Sequence, residues 1–153
     1  MAWLEHRIPP VVLMLVCALL MGFAARLLPP LEVSLIWRLP LSLAITATGT
    51  AICLTGVRSF RRARTTVNPL SPDSASDLVT QGIYRLTRNP MYLGFTLMLV
   101  GWAVLLASFF AFVGVAAFAL WIDRWQIRPE ERALQSLFGD DFAEYCSRTR
   151  RWI

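Results

Sequence analysis

Two short stretches hold most of the side chains in this sequence that could do chemistry. One is Tyr84-Arg85-Leu86-Thr87-Arg88-Asn89-Pro90-Met91-Tyr92, and the other runs from Arg124 through Arg128 to Glu130-Glu131. Paired carboxylates can hold a cation or a set of hydroxyls, while Arg, Asn and Tyr can donate to an anion. Only Glu130, Glu131, Tyr84 or Tyr92 could take a proton from a reacting group. The single histidine, His6, lies near the start, which removes His-based triads and His-rich metal sites. Cys17 and Cys53 lie in apolar segments and Cys146 in a polar one, so neither a disulfide framework nor a zinc site is expected. No Gly-rich turn follows a strand pattern, so a Rossmann-type nucleotide site is absent.

Each stretch also has a plainer reading. Asn89-Pro90 is a helix start, since Asn can accept from the orphan amides of a first turn and Pro gives up only an amide without a partner. Tyr84, Arg85, Arg88 and Tyr92 then sit where water meets an apolar run, as interfacial anchors do. Glu130 and Glu131 follow Pro129 in what reads as a first helical turn, where the dipole favours acids. Arg124 and Arg128 could complement a membrane surface as well as bind a substrate.

The elements that must position these groups are membrane helices. Of 153 residues, 56% are hydrophobic, and the mean hydropathy is +0.54, too apolar for a soluble chain of this size. Residues 8–28 are apolar apart from Arg26, and residues 39–57 carry no charge. The first run begins like a secretory signal, but no clean cleavage site follows, so it reads as a retained helix. From Met91 to Ile122 there are 32 residues without a charge. One helix of that length would be about 48 Å long, well beyond the hydrocarbon core. A hairpin turning near Ala107-Ser108 fits better, giving spans at 90–107 and 108–126. Gly49, Ala51, Gly94 and Gly101 suit close helix contacts, and Thr46, Thr48, Thr50 and Thr55 can bond back to their own helix. The expected fold is a single all-α integral membrane domain of four transmembrane helices, with a loop at 58–89 and a helical tail at 127–153. In that tail Phe138-Gly139 marks a stop, and 140–153 a second, amphipathic helix whose Phe142, Tyr145 and Trp152 suit a membrane surface.

The net charge is +5, carried by fifteen Arg and no Lys. Four spans put thirteen Arg on the side of the 58–89 loop and the tail, and only Arg26 and Arg38 on the other. The positive-inside rule makes the Arg-rich side, with both termini, cytoplasmic. A prokaryotic plasma (inner) membrane is the expected location. This distribution, without a nucleic-acid module, argues against nucleic acid as a partner. Nothing in the sequence speaks to oligomeric state.

Gly82-Ile83-Tyr84, Arg88-Asn89-Pro90-Met91-Tyr92-Leu93-Gly94, and Glu130-Glu131 with Leu134, Phe138-Gly139 and Tyr145 resemble the isoprenylcysteine carboxyl methyltransferase and phospholipid methyltransferase superfamily. These are integral-membrane enzymes that use S-adenosylmethionine (SAM). The resemblance implies a cofactor pocket at the cytoplasmic ends of the last two spans. The segment Ser76–Val79 (Leu78 and Val79 as its apolar part), Tyr84, Asn89, Pro90, Met91, Tyr92 and Glu130 would line it, with S-adenosylhomocysteine as product. Arg88, Glu131, Arg124 and Arg128 are the candidate catalytic and acceptor-binding groups. Two positions depart from the eukaryotic pattern. Asn89 replaces a His, and Gln126, flanked by Arg124 and Arg128, replaces an Arg implicated in substrate binding. The implied reaction moves a methyl group to a lipophilic acceptor reached from the bilayer: a prenylcysteine-like carboxylate, or a phospholipid or other lipid amine. A non-enzymatic membrane scaffold or assembly subunit is the rival from another class.

Overall fold

A computed structural model of the chain describes residues 8–27, 29–62 and 78–153. Residues 1–7, Ser76 and the turn signals around Pro69 and Pro72 lie outside these. The described residues are helical, with no strand among them. The helices are α1 (Pro10–Leu27), α2 (Leu35–Arg62), α3 (Pro90–Leu106), α4 (Phe109–Ile122) and α5 (Arg128–Arg148), with a 3-10 turn at Gly82–Arg85. Among the described residues, three helical runs are long and apolar enough to cross a membrane: α1, α2, and the continuous run from Phe109 to Arg148. The expected third span, α3, is equally apolar but has 17 residues, about 25 Å at 1.5 Å per residue.

Backbone contact between α2 and α3 builds the frame. A Cβ added at Gly94 would lie 2.6 Å from the carbonyl oxygen of Gly49, and one at Gly49 equally close to that of Gly94. No side chain fits between the two backbones, as at small-residue contacts between membrane helices. Further along the same seam Gly101 meets Thr46, and Gly56 meets Pro90 and Met91, so the two helices run antiparallel. Ala51, expected in this contact, is exposed, and Gly56 stands in the seam instead. Thr48 and Thr50 donate to the carbonyls of Ala44 and Thr46, at 2.9 and 2.8 Å, which spares their hydroxyls an unpaired place in hydrocarbon.

The hairpin falls where the length argument put it. Ala107 takes a left-handed conformation (φ 48°) and Ser108 an extended one, so α3 ends and α4 starts within two residues. Ala107 accepts a bond from the Leu31 amide at 2.6 Å, which fixes the α1–α2 connection at the same end. At the opposite end Gln126 donates to the carbonyl of Ile8 at 3.0 Å. Between α1, α3 and α4 lies a core of Met21, Leu99, Ala103, Val115, Phe118 and Ile122. Large apolar side chains point outward as well, Leu19 and Leu120 being 75% and 71% exposed. Such an inside-out surface belongs in lipid.

Between α4 and α5 the chain makes one wide, π-type turn at Asp123–Ile127. Helix α5 kinks at Gly139 (φ 51°, ψ −121°), where a stop was expected. Its second part ends at Arg148, not Ile153, and Thr149 is extended. Phe142 and Tyr145 do not face outward as expected of a surface helix. They are 4% and 6% exposed and pack against Tyr84, Phe60 and Leu78.

Candidate active site

The start of α3, the 3-10 turn with the residues on either side of it, Phe60 near the end of α2, and both parts of α5 enclose a cleft of about 660 Å3, open mouth included. All eight expected cofactor residues line it: Leu78, Val79, Tyr84, Asn89, Pro90, Met91, Tyr92 and Glu130. Arg88 and Glu131 line it too, with Phe60, Leu134, Phe142 and Tyr145 completing an aromatic and aliphatic wall. Pro at the first position of α3 explains why that helix starts here and nowhere earlier.

Tyr92, on the first turn of α3, donates its hydroxyl hydrogen bond to Oε1 of Glu130, 38 residues away. Burial strips water from Glu130, and the charge of Glu131 beside it adds to the effect, so its carboxyl is pushed up to about 8 although the Tyr92 bond opposes this. Burial also pushes the Tyr84 and Tyr145 hydroxyls upward, which keeps them protonated and unfit as bases near neutrality. Tyr145 donates to the Tyr84 carbonyl at 2.8 Å, and Phe60 meets the Tyr84 ring edge-on at 5.3 Å. The cleft therefore combines an apolar slot with a carboxyl close to its own titration point.

Arg88 and Glu131 are committed to each other and to the wall. Arg88 Nη2 donates to Glu131 Oε1 at 2.8 Å, and its Nη1 to the carbonyls of Thr149 and Cys146. Arg151 donates to the other oxygen of Glu131 at 2.6 Å and to Asp123 at 3.0 Å. Backbone joins in: the Arg88 amide donates to Arg150, and Asn89 Nδ2 to the carbonyl of Arg151 at 3.0 Å. Asn89 thus makes no side-chain cap on α3, contrary to expectation; its amide is spent on the strap formed by residues 149–151.

Arg124 and Arg128 are not brought to the cleft. Arg124 lies over the Trp125 ring at 4.7 Å, and Arg128 pairs with Asp123 at 2.8 Å while half exposed. Gln126 is buried beneath the start of α1. Arg151, Asp123, Phe60, Phe142 and the strap were not singled out from sequence as site residues. Only the excess of Arg near the end hinted at them.

The profile of the phospholipid methyltransferase family matches residues 37–141. The chain belongs to the phospholipid methyltransferase family. The match takes in nearly all of α2, α3, α4 and the first two thirds of α5, and so both Tyr92 and Glu130, while the strap lies beyond it. This family member is similar to an uncharacterized protein of Haemophilus influenzae, 41% identical over 63 residues (41% of this chain, all of the other). It is also similar to two Arabidopsis thaliana proteins. Protein-S-isoprenylcysteine O-methyltransferase B is 29% identical over 115 residues (73% of this chain, 57% of that one). Protein-S-isoprenylcysteine O-methyltransferase A is 35% identical over 99 residues (63% and 47%). The chain spans about half the length of the two plant proteins it matches. No solved structure matches it.

Proposed function

We propose that the chain is a single-domain, membrane-embedded methyltransferase that moves a methyl group from SAM to a lipophilic acceptor. Four antiparallel spans, α1 to α4, carry the cleft on the cytoplasmic side of a prokaryotic plasma membrane, and the acceptor reaches it from the bilayer. The observation that carries this reading is the Tyr92–Glu130 bond, which joins the start of α3 to the start of α5 over one cleft. The residues fit such a cofactor. Glu130 suits a cationic amine or a pair of hydroxyls, and its raised titration point is what a carboxyl awaiting a cation has. Leu78, Val79, Leu134 and Phe60 suit a flat base, and Tyr84 and Asn89 border the same space.

When bound, SAM supplies a methyl on a cationic sulfur, already activated for in-line displacement. The chain's own residues align the reactants and exclude water. Glu130 holds positive charge; Arg88, Glu131 and Arg151 hold the wall rigid. A carboxylate acceptor needs no general base, and among the described residues the cleft wall includes no His, while its Tyr84 and Tyr145 phenols are kept protonated. That supports a prenylcysteine-like carboxylate, in line with the names of the plant relatives. The family profile supports a lipid amine as the second reading, with Glu130 as the group able to take its proton. Calorimetry on the detergent-solubilised chain should show binding of SAM and S-adenosylhomocysteine, lost in Glu130→Ala. A lipid extract offered with labelled SAM then identifies the acceptor. No binding by the wild type would leave a non-enzymatic scaffold as the better reading.

A further inference from the structure

At the end of the bundle remote from the cleft, Arg38 stands in the first turn of α2. Its Nε–H is buried with no acceptor, and the side chain makes no ion pair or hydrogen bond among the described residues. Glu32, the nearest acid in the sequence, is exposed and does not pair with it. A buried donor of a charged group left unpaired is costly, and the start of a helix adds positive potential of its own.

Beside Arg38 runs an apolar groove of about 570 Å3, open mouth included, bordered by Leu31, Val33, Trp37, Leu41, Val104 and Phe112. It lies about 20 Å along α3 from Pro90, so it is no part of the cleft. The surrounding surface is lipid-like: Ile36 and Trp37 are 73% and 75% exposed, and Phe109 67%. A cation without a partner at the mouth of an apolar groove, on a surface made for hydrocarbon, is complementary to an amphiphile with an anionic head.

We propose that Arg38 and this groove hold one anionic phospholipid of the leaflet at this end of the bundle, its phosphate on the guanidinium and an acyl chain in the groove. A guanidinium meets phosphate through paired N–H bonds, and this one has a donor unspent. A zwitterionic choline head would bring a second cation toward Arg38, where no acid pairs with it. The inference stands apart from the methyltransferase reading.

The test uses the full chain in nanodiscs of phosphatidylcholine alone and of an equimolar mixture with phosphatidylglycerol. Native mass spectrometry reads the lipid retained, and the thermal midpoint reads the fold. The wild type should retain phosphatidylglycerol in preference and melt higher in the mixture. Arg38→Gln should cut that retention about ten-fold, as loss of a charge-assisted bond to phosphate implies, while Arg26→Gln leaves it unchanged. Val104→Phe, which fills the groove and keeps the cation, should also reduce retention, so the idea stays testable if Arg38→Gln does not fold. Equal retention of both lipids by the wild type would overturn the proposal. So would unchanged retention in Arg38→Gln or Val104→Phe, or an equal loss in Arg26→Gln.

Discussion

On the proposed methyltransferase reading, Glu130 makes cofactor binding a proton-linked event. In the free protein its carboxyl is raised to about 8, so it is mostly neutral at pH 7. A cationic ligand needs the charged form, and binding must then expel the proton. The charged fraction is about one in a hundred at pH 6 and about one half at pH 8, so the dissociation constant for SAM should fall roughly fifty-fold between those values. It should then change less than about two-fold above pH 8. Close to one proton should leave per SAM bound at pH 6, read by calorimetry in two buffers of different ionisation heat. The sign for the free fold is the opposite. A raised carboxyl contributes stability that is fully present below its ordinary value of 4.5 and is lost as pH rises through about 8. Glu130→Gln, neutral throughout, should therefore bind SAM weakly at every pH, release no proton, and melt higher than the wild type above pH 8. A wild-type affinity that is flat from pH 6 to 9, or a slope that survives in Glu130→Gln, would refute the reasoning.

Three further outcomes follow from the geometry. Arg151→Ala should lower stability by about 1–2 kcal/mol, below the figure for a fully buried pair because Arg151 is one-third exposed, and should weaken SAM binding. Chemical unfolding and calorimetry measure the two, with Arg151→Lys recovering part of each. Asn89→Asp should be less stable than Asn89→Ala by about 1 kcal/mol, because an acid faces the Arg151 carbonyl where a donor is needed; a helix cap would give the reverse order. Gly94→Ala should cost at least about 2 kcal/mol, since its Cβ has a backbone oxygen at 2.6 Å and neither helix can yield, which thermal unfolding in detergent will show.

Local rules made much of this legible. Pro90 opened α3, and an uncharged run too long for one crossing announced the turn at Ala107-Ser108. Helix α2 was read too short, ending at Val57, because Arg58 stops a membrane span but not a helix, which goes on in water to Arg62. The cleft was legible where its residues lie next to one another, as around Tyr84 to Tyr92 and at Glu130-Glu131. What joins distant segments was not. Arg151 looked like one more surface cation, and only the fold shows that it spans Glu131 and Asp123. Phe142 and Tyr145 have the spacing of an amphipathic surface helix, and a second layer packed on them was invisible from their own helix.

The wide turn at Asp123–Ile127 has a consequence for how this architecture can vary. It joins an apolar rod to a polar one with a phase offset, so the orientation of Glu130 about the axis is set independently of which side of α4 meets lipid. One residue inserted or deleted there would wheel Glu130 by about 100° relative to α4 and leave the hydrocarbon-facing surface as it was. The apolar run and the cleft-facing carboxyl share a single continuous helix, yet each can be tuned without disturbing the other.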